Sequence, residues 1–315
     1  MPQATVIICA HNPRPHYLSR VLEALRTQTL PLAQWELLLI DNASQTPLNA
    51  GSWDLSWHHQ ARHIREDQLG LARARQRGMR EAGADILVFV DDDNVLAPDY
   101  LDEALRIGRE WPMLGVWGSG ATFPEFEVRP PDALSAYLDR LPIRYNKMVQ
   151  FSNTMPCYPA MPWGAGQCLR AEVAIAYLRQ FESSSIKIAD RTGGSLDSAG
   201  DTEICYVATA SGMGIGIFPE LKLTHLMPKE RLREDYLVRL ADGVLTSNLL
   251  TEYKWAKAIP PSRFAGALGM ARVIRNTLAL RGIGRRIYLA ELRAWGRTRG
   301  VILELERSSA AARTP

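Results

Sequence analysis

The sequence has few of the features that define disulfide-stabilised, zinc-binding or membrane-spanning proteins. Its 315 residues include four scattered cysteines: Cys9, Cys157, Cys168 and Cys205. They lack the paired spacing of zinc ligands, so we expect reduced thiols in a cytoplasmic protein. No apolar stretch is long enough to span a bilayer, and the N-terminal segment shows no secretory signal pattern.

Several catalytic signatures are also missing. The sequence contains no nucleophile elbow, no zinc-protease motif and no phosphate-binding P-loop. The segment GMGIG (212–216) resembles a dinucleotide fingerprint, but it precedes an apolar run, whereas the fingerprint follows one. We therefore predict no dinucleotide site there. At 46% hydrophobic and 23% charged residues, the composition is that of a globular protein with a sizeable core.

The charge of the chain is distributed unevenly. The formal net charge is +3, yet the segment from Thr251 to Pro315 carries thirteen Lys or Arg against four Glu. That segment therefore has a charge of +9, which leaves −6 for the remainder. A basic C-terminal segment on a mildly acidic body indicates contact with an anionic surface.

Apolar runs alternate with segments of helical spacing in the N-terminal part. The runs ATVIICA (4–10), WELLLIDNAS (35–44) and ILVFV (86–90) predict strands, and LGLARARQRGMREAG (69–83) predicts a helix between the last two. This alternation predicts an α/β fold with a doubly wound, mostly parallel sheet.

From about Gly118 to Gly200 the pattern loosens. The Pro-rich segments FPEFEVRPPDAL and MPCYPAMPWGAG predict loops around a pocket, and a polar, Gly-rich stretch before about Thr202 predicts a mobile loop. GIGIFPELKLTHLMP (214–228) predicts a final strand.

Polar residues follow each of the first three predicted strands. They are His11-Asn12, Asp41-Asn42 and Asp91 to Asp93, and in a parallel sheet they would share the edge where ligands bind. Three adjacent carboxylates after an apolar strand repel one another unless a positive group approaches. A D-x-D arrangement can hold Mg²⁺ or Mn²⁺ and, through it, a diphosphate.

Three further residues have both a functional and a structural interpretation. Arg75 lies beside the small-residue face of the predicted helix, so it could meet a phosphate or could be solvated with its stem over apolar surface. Asp201 stands where a Gly-rich loop becomes a helix, a typical N-cap position. His225 lies near a strand end, where a core histidine is also common. The sequence alone leaves these alternatives open.

Taken together, the motifs resemble those of the inverting family-2 glycosyltransferases with the GT-A fold. The matching segments, over residues 4 to about 231, are TVIICAHNPRPHYLSRVLEALRTQT, LLLIDNASQT, LGLARARQRGMREAGADILVFVDDDNVLAPDYL, WGAGQCLRAEV, AGDTEI and LTHLMPKER. The resemblance implies a nucleotide-sugar donor, a carbohydrate or lipid-linked acceptor, an Mn²⁺ or Mg²⁺ cofactor and direct displacement. It implies a role in surface glycan or glycoconjugate synthesis and no nucleic-acid partner.

The resemblance also implies roles for individual residues. Asp93 and His225 would bind the metal, and Asp201 would be the general base. The donor would contact Ala10, Asn12, Asp41, Arg75, Asp91 and Asp92, with Asp41 accepting a ring N–H of the base and Asp92 reaching the ribose. The acceptor would contact Trp163, Gly164 and Asp197.

Two alternatives stay open, one of which comes from a departure from the family pattern. The family often has Glu where this chain has Gly200, so Asp197 is a second candidate for the base. The run VFVDDDNVL also resembles the first motif of haloacid-dehalogenase-type phosphatases, with Asp91 as nucleophile and Asp93 as acid/base. That motif normally lies on the first strand, and here two strand–helix units precede it.

The C-terminal region lies outside the resemblance. We predict a catalytic domain over residues 1–235, with 1–117 binding the nucleotide sugar and 118–235 supplying acceptor and catalytic residues. A basic helical extension would cover 236–315. Its apolar residues recur at helical spacing beside arginines, which is typical either of helices packed on a domain or of peripheral docking on the inner face of a membrane.

Overall fold

The computed structural model describes residues 1–184, 186–187, 191, 196 and 198–311. Its backbone forms two compact units. The first comprises Met1–Arg129, Leu141–Lys187 and Gly200–Pro228, and the second comprises Pro130–Arg140, Ile188–Ala199 and Lys229–Pro315. The predicted domain boundary at residue 235 stays a prediction.

The first unit is a ten-stranded sheet with five helices. Its strands are β1 (Ala4–Ala10), β2 (Trp35–Asn42), β3 (Ala61–Glu66), β4 (Ile86–Asp91), β5 (Asn94–Leu96), β6 (Leu114–Phe126), β7 (Arg144–Tyr145), β8 (Gln150–Ser152), β9 (Cys168–Arg170) and β10 (Gly214–Met227). Its helices are α1 (Pro15–Arg26), α2 (Leu71–Glu81), α3 (Tyr100–Glu110), α4 (Ala171–Ser183) and α5 (Gly200–Ala210).

The sheet has the order β3-β2-β1-β4-β9-β6-β10-β5. Strands β1 to β4 are parallel, and β6 and β10 form a second parallel pair. The short β9 joins the two groups by antiparallel pairing with β4 and β6. Every residue of β1 and β2 is buried, as expected for strands covered by helices on both faces. The prediction of a mostly parallel α/β sheet is confirmed.

Helix α2 approaches the sheet closely through its small residues. A Cβ built on Gly78 would lie 2.4 Å from a side-chain carbon of Ile7, so only glycine fits there. This close packing places Arg75, one turn earlier on α2, against the sheet with 5% of its surface exposed. The alternative of a solvated Arg75 is wrong.

Two predictions about loops and strands are corrected. The Pro-rich segment beginning at Phe123 was expected to be a loop, but Phe123 to Phe126 continue β6 and pair with Thr224 to Met227 of β10. Strand β3 was not predicted, because only Ile64 among its six residues is buried. Most of the predicted mobile loop before Gly200, including Asp197, lies outside the described residues.

The second unit contains three long helices: α6 (Glu234–Ala256), α7 (Gly266–Ala279) and α8 (Gly282–Ala311). Helices α6 and α8 pack together, and Ile283, Ile287 and Ala290 of α8 are buried. In the part of the chain that the structure describes, no helix combines the length and apolar character needed to cross a bilayer.

Candidate active site

The carboxyl ends of β1, β2 and β4 lie side by side at one edge of the sheet. In the parallel register Ala10 pairs with Asp41, and Cys9 pairs with Asp91. The polar residues that follow these strands therefore share this edge, where α/β sheets bind ligands. We call it the carboxylate edge, and define it by Asp41, Asp91, Asp92 and Asp93.

Asp41 is buried and organises the loop after β2. The backbone N–H groups of Ser44 and Leu48 donate to its carboxylate at 3.0 and 3.1 Å, and Arg65 donates at 2.5 Å. Burial alone would raise the pKa of Asp41, but hydrogen bonds from Ser44, Arg65 and Leu48 outweigh it and hold the pKa below its usual value. Asp41 is thus an ionised acceptor whose lone pairs are partly engaged by the protein.

The loops after β1 and β2 are fastened to each other. The Asn12 N–H donates to Ser44 Oγ at 2.9 Å, and Asn12 Oδ1 accepts from the Gln45 N–H at 2.8 Å. Asn12 has φ of 47°, a left-handed conformation that asparagine tolerates better than most residues. Hydrogen bonds between the two loops therefore fix Asn12 and Asp41 relative to each other, next to the buried Ala10.

Arg75 neutralises part of the carboxylate edge. Its Nη2 lies 3.5 Å from Asp91 Oδ1, and its guanidinium lies 5.4 Å from the centre of the Phe89 ring. The guanidinium also abuts Gly164, where a Cβ would lie 2.3 Å from Nη2. A buried cation in contact with the end of β4 explains in part how adjacent aspartates are tolerated there.

Asp93 and His225 form a buried pair across two strands. Asp93 Oδ2 and His225 Nε2 are 3.3 Å apart, and the antiparallel pairing of β5 with β10 sets His225 opposite Asn94. In addition, Asn94 Nδ2 donates to Asp93 Oδ1 at 3.0 Å. The predicted partners, 132 residues apart in sequence, are thus in contact.

The carboxylate oxygen of Asp93 and the imidazole nitrogen of His225 are atoms that can bind one divalent cation together. Two ligands at right angles on an octahedral cation with bonds of about 2.1 Å lie about 3.0 Å apart, close to the separation of Asp93 and His225. Among the described residues there is no group of three His, Cys, Asp or Glu side chains that could hold a metal. Mg²⁺-type sites commonly use one or two protein ligands and complete their shell with phosphates and water, so the pair fits such an ion.

Asp201 lies in the first turn of α5 and holds the chain after Trp163. Its Oδ2 accepts the Gly164 N–H at 2.8 Å, while Oδ1 accepts the Thr202 N–H at 2.8 Å. Asp201 is the second residue of α5 and so does not occupy the N-cap position of the structural interpretation, and its contact with Gly164 fixes the carboxylate against a distant loop. Gly164 therefore touches both Arg75 and Asp201.

Arg144 is a residue of this region that no sequence motif indicated. Its guanidinium lies 3.7 Å from the centre of the Trp163 ring, and it donates to the Met161 carbonyl at 3.0 Å. Burial lowers the pKa of Arg144 to about 10, and the nearby charge of Asp201 opposes that shift. Arg144 is thus a partly buried cation beside Asp201 and Trp163.

A separate open groove of about 600 Å³ is not lined by any of these carboxylates. Its lining includes Tyr145, Lys147, Pro219 and Lys222, and none of the predicted site residues. It contains no paired carboxylates and no buried charge, so the carboxylate edge is the better candidate for chemistry.

The comparisons with known proteins place the chain in a family. The model of Glycosyl transferase family 2 matches residues 5–161. The chain is 30% identical over 95 residues to the glycosyltransferase AglE of Haloferax volcanii, which covers 30% of this chain and 31% of AglE. It is 24% identical over 156 residues to EpsH of Bacillus subtilis, provisionally named a glycosyltransferase, covering 46% of this chain and 42% of EpsH. The chain therefore spans less than half the length of these relatives.

Solved structures of glycosyltransferases share the fold. The mannosyltransferase PcManGT of Pyrobaculum calidifontis, in complex with GDP-Man and Mn²⁺, is 17% identical with a TM-score of 0.53, covering 100% of this chain and 76% of that one. Residues 1–349 of S. aureus TarS, in complex with UDP-GlcNAc, are 13% identical with a TM-score of 0.53, covering 94% and 81%. At such identities they establish the GT-A fold alone. The phosphatase alternative is not favoured, and the chain belongs to glycosyl transferase family 2 through a GT-A domain that includes residues 5–161.

Proposed function

We propose that this chain transfers a sugar from a nucleoside-diphosphate sugar to an acceptor hydroxyl, with inversion at the anomeric carbon. One observation carries the proposal. A continuous set of contacts runs from Asp91 through Arg75 and Gly164 to Asp201, beside the Asp93–His225 pair. The charged groups proposed to bind the donor and the proposed base therefore lie together in the first unit.

The donor would bind along the carboxylate edge. Asp41 would accept a ring N–H of the base, Ala10 and Asn12 would line the base and ribose, and Asp92 would reach the ribose. Arg75 is a buried cation beside Asp91 and would contact the diphosphate. The nucleotide sugars bound to TarS and to PcManGT support a donor of this class.

Asp93 and His225 would hold a divalent cation, Mn²⁺ or Mg²⁺. When bound, such an ion supplies Lewis-acid stabilisation of the negative charge on a departing diphosphate. The protein contributes a preformed pair of ligands, because the pairing of β5 with β10 sets His225 beside Asp93, the residue directly before β5. The Mn²⁺ in the PcManGT complex supports this assignment.

Asp201 would act as general base toward the acceptor. The hydroxyl proton passes to the Asp201 carboxylate, the acceptor oxygen bonds to the anomeric carbon, and the bond from that carbon to the diphosphate oxygen breaks. A single displacement inverts the carbon and needs no enzyme nucleophile. The Gly164 N–H holds Asp201 Oδ2 in place, so the base is pre-oriented.

Trp163, Gly164 and Arg144 would form the acceptor side of the site. The indole of Trp163 offers an apolar face for a sugar ring, and Arg144 offers hydrogen-bond donors beside Asp201. Asp197 remains a second candidate for the acceptor contact or the base. We infer that the acceptor is a carbohydrate or lipid-linked glycan of the cell surface, in keeping with the basic C-terminal segment.

A donor screen tests the proposal. The thermal stability of the protein is measured with UDP-, GDP- and dTDP-sugars, each with and without Mn²⁺. We expect one nucleotide sugar to stabilise the protein only with the metal, and transfer to give the opposite anomer by NMR. Retention of configuration would contradict direct displacement. Stabilisation by beryllofluoride, without any nucleotide effect, would instead favour the phosphatase.

A further inference from the structure

Helix α7 exposes its apolar residues. Leu268, Ile274 and Leu278 are 88%, 52% and 72% exposed, and no residue of α7 is buried. Nineteen large apolar side chains are exposed in the described part of the chain, and seven of them lie between residues 259 and 280. Such a concentration on a globular protein indicates a surface that contacts something else.

The three most exposed apolar side chains of α7 lie on one stripe. At 100° per residue, Leu268, Ala271, Ile274 and Leu278 fall within about 120° of the helix circumference. The partly buried Val273 lies on the opposite side. Helix α7 therefore packs on its own unit through the side away from the stripe, and the apolar face points outward. In α8, by contrast, Ile283, Ile287 and Ile302 are buried.

Uncompensated positive charge accompanies the stripe. Arg272, Arg275, Arg281 and Arg285 are all exposed, and within the described ranges no carboxylate lies in ion-pair contact with any of them. Other arginines of this unit are paired, such as Arg286 with Glu234 and Asp235. The arginines near α7 are thus available to an external anion.

We propose that α7 docks on an anionic membrane surface. The apolar stripe would enter the interface between headgroups and acyl chains, and Arg272 and Arg275 would bind anionic headgroups. Charge favours lipid over a second copy of the chain, because two copies meeting through α7 would bring like-charged segments together. The proposal goes beyond the catalytic assignment and does not depend on it, since lipid binding needs neither donor nor acceptor.

Vesicle co-sedimentation of the full chain tests the proposal. The vesicles contain phosphatidylcholine alone or with about one third phosphatidylglycerol, in about 0.05 or 0.5 M salt. We expect binding to the anionic vesicles, at least tenfold weaker at high salt. Leu268→Gln/Leu278→Gln should weaken binding by about tenfold or more, because two side chains leave the interface. Arg272→Gln/Arg275→Gln should weaken it by about 25-fold, at about fivefold for each charge.

Two matched controls define the specificity. Ile175→Gln/Val301→Gln removes two exposed apolar side chains elsewhere, and Arg26→Gln/Arg109→Gln removes two exposed charges elsewhere. Both should retain wild-type vesicle binding, with circular dichroism confirming that every variant is folded. Absence of binding to anionic vesicles at low salt would overturn the proposal, as would equal losses in the controls. If the protein does not bind vesicles but sediments as a dimer, and Leu268→Gln/Leu278→Gln converts that dimer to a monomer, the stripe mediates self-association instead.

Discussion

Replacing Gly164 with alanine places a methyl group against the buried guanidinium of Arg75. The new Cβ would lie 2.3 Å from Nη2 and 3.1 Å from Cζ. Because unstrained non-bonded contacts of this kind are about 3.5 Å, the guanidinium must move by about 1.2 Å. The Arg75–Asp91 contact is 3.5 Å long, so a displacement of this size changes the position of the guanidinium relative to the carboxylate edge.

The expected effect on binding exceeds the effect on stability. Since the end of an arginine can shift, we expect Gly164→Ala to lower the free energy of unfolding by about 1 kcal/mol, the low end for overpacking. If Arg75 binds the diphosphate, the lost hydrogen bond to a charged group is worth about 1.5–3 kcal/mol, which weakens donor affinity about 10- to 100-fold. Calorimetric titration of the nucleoside diphosphate with Mn²⁺ measures affinity, and urea unfolding measures stability.

Gly115→Ala is the matched control. A Cβ there would lie 2.9 Å from side-chain carbons of Met213 and Val173, in the core away from the carboxylate edge. It should lose about 1–3 kcal/mol of stability and keep its donor affinity. Wild-type affinity in Gly164→Ala would refute the placement of Arg75 at the diphosphate, and an equal loss in Gly115→Ala would assign the effect to general destabilisation.

Three further variants probe the rest of the site. Asp93→Asn and His225→Ala should each abolish or sharply weaken Mn²⁺-dependent nucleotide binding, measured by titration; wild-type metal dependence with a lowered melting temperature would leave the pair structural. Arg144→Ala should raise the acceptor KM about tenfold and leave donor affinity unchanged, in steady-state kinetics with each substrate varied; a change in the donor alone would place Arg144 elsewhere. Asp41→Asn should destabilise the protein at pH 7 by urea unfolding. Because the folded pKa of Asp41 lies below the unfolded value of about 3.9, its stabilisation is present above that value and is lost as the pH falls through the folded pKa, so the difference in stability between the two proteins should shrink as the pH falls below the unfolded value.

The parallel half of the sheet was predictable because its strands are buried on both faces. β1, β2 and β4 are nearly continuous apolar runs, and such runs are visible without tertiary information. β3 lies at the edge of the sheet with one buried residue, so its pattern resembles a polar loop. The end of β6 contains Pro124 and depends on pairing with β10, about 100 residues away, which no local pattern reports.

The site was predictable only in part, for a similar reason. Acidic residues after an apolar strand indicated the carboxylate edge, but the contact of Asp93 with His225 spans 132 residues and was expected only through the family resemblance. Arg144 was missed because its position depends on stacking over Trp163, and neither residue has a local signature. The spacing of apolar residues in α7 predicted an amphipathic helix. The sequence did not show which side of that helix packs on the unit, because tertiary contacts decide it.

The turnover of Asp201→Asn tests the central claim most directly. The amide keeps the shape of the side chain but cannot accept the acceptor proton, so kcat should fall by about 10²–10⁴-fold. Donor affinity, titrated on the same preparation, should stay close to that of the wild type, since a base acts on the chemical step. Wild-type turnover by Asp201→Asn, with an inactive Asp197→Asn, would contradict the assignment of Asp201 as the base.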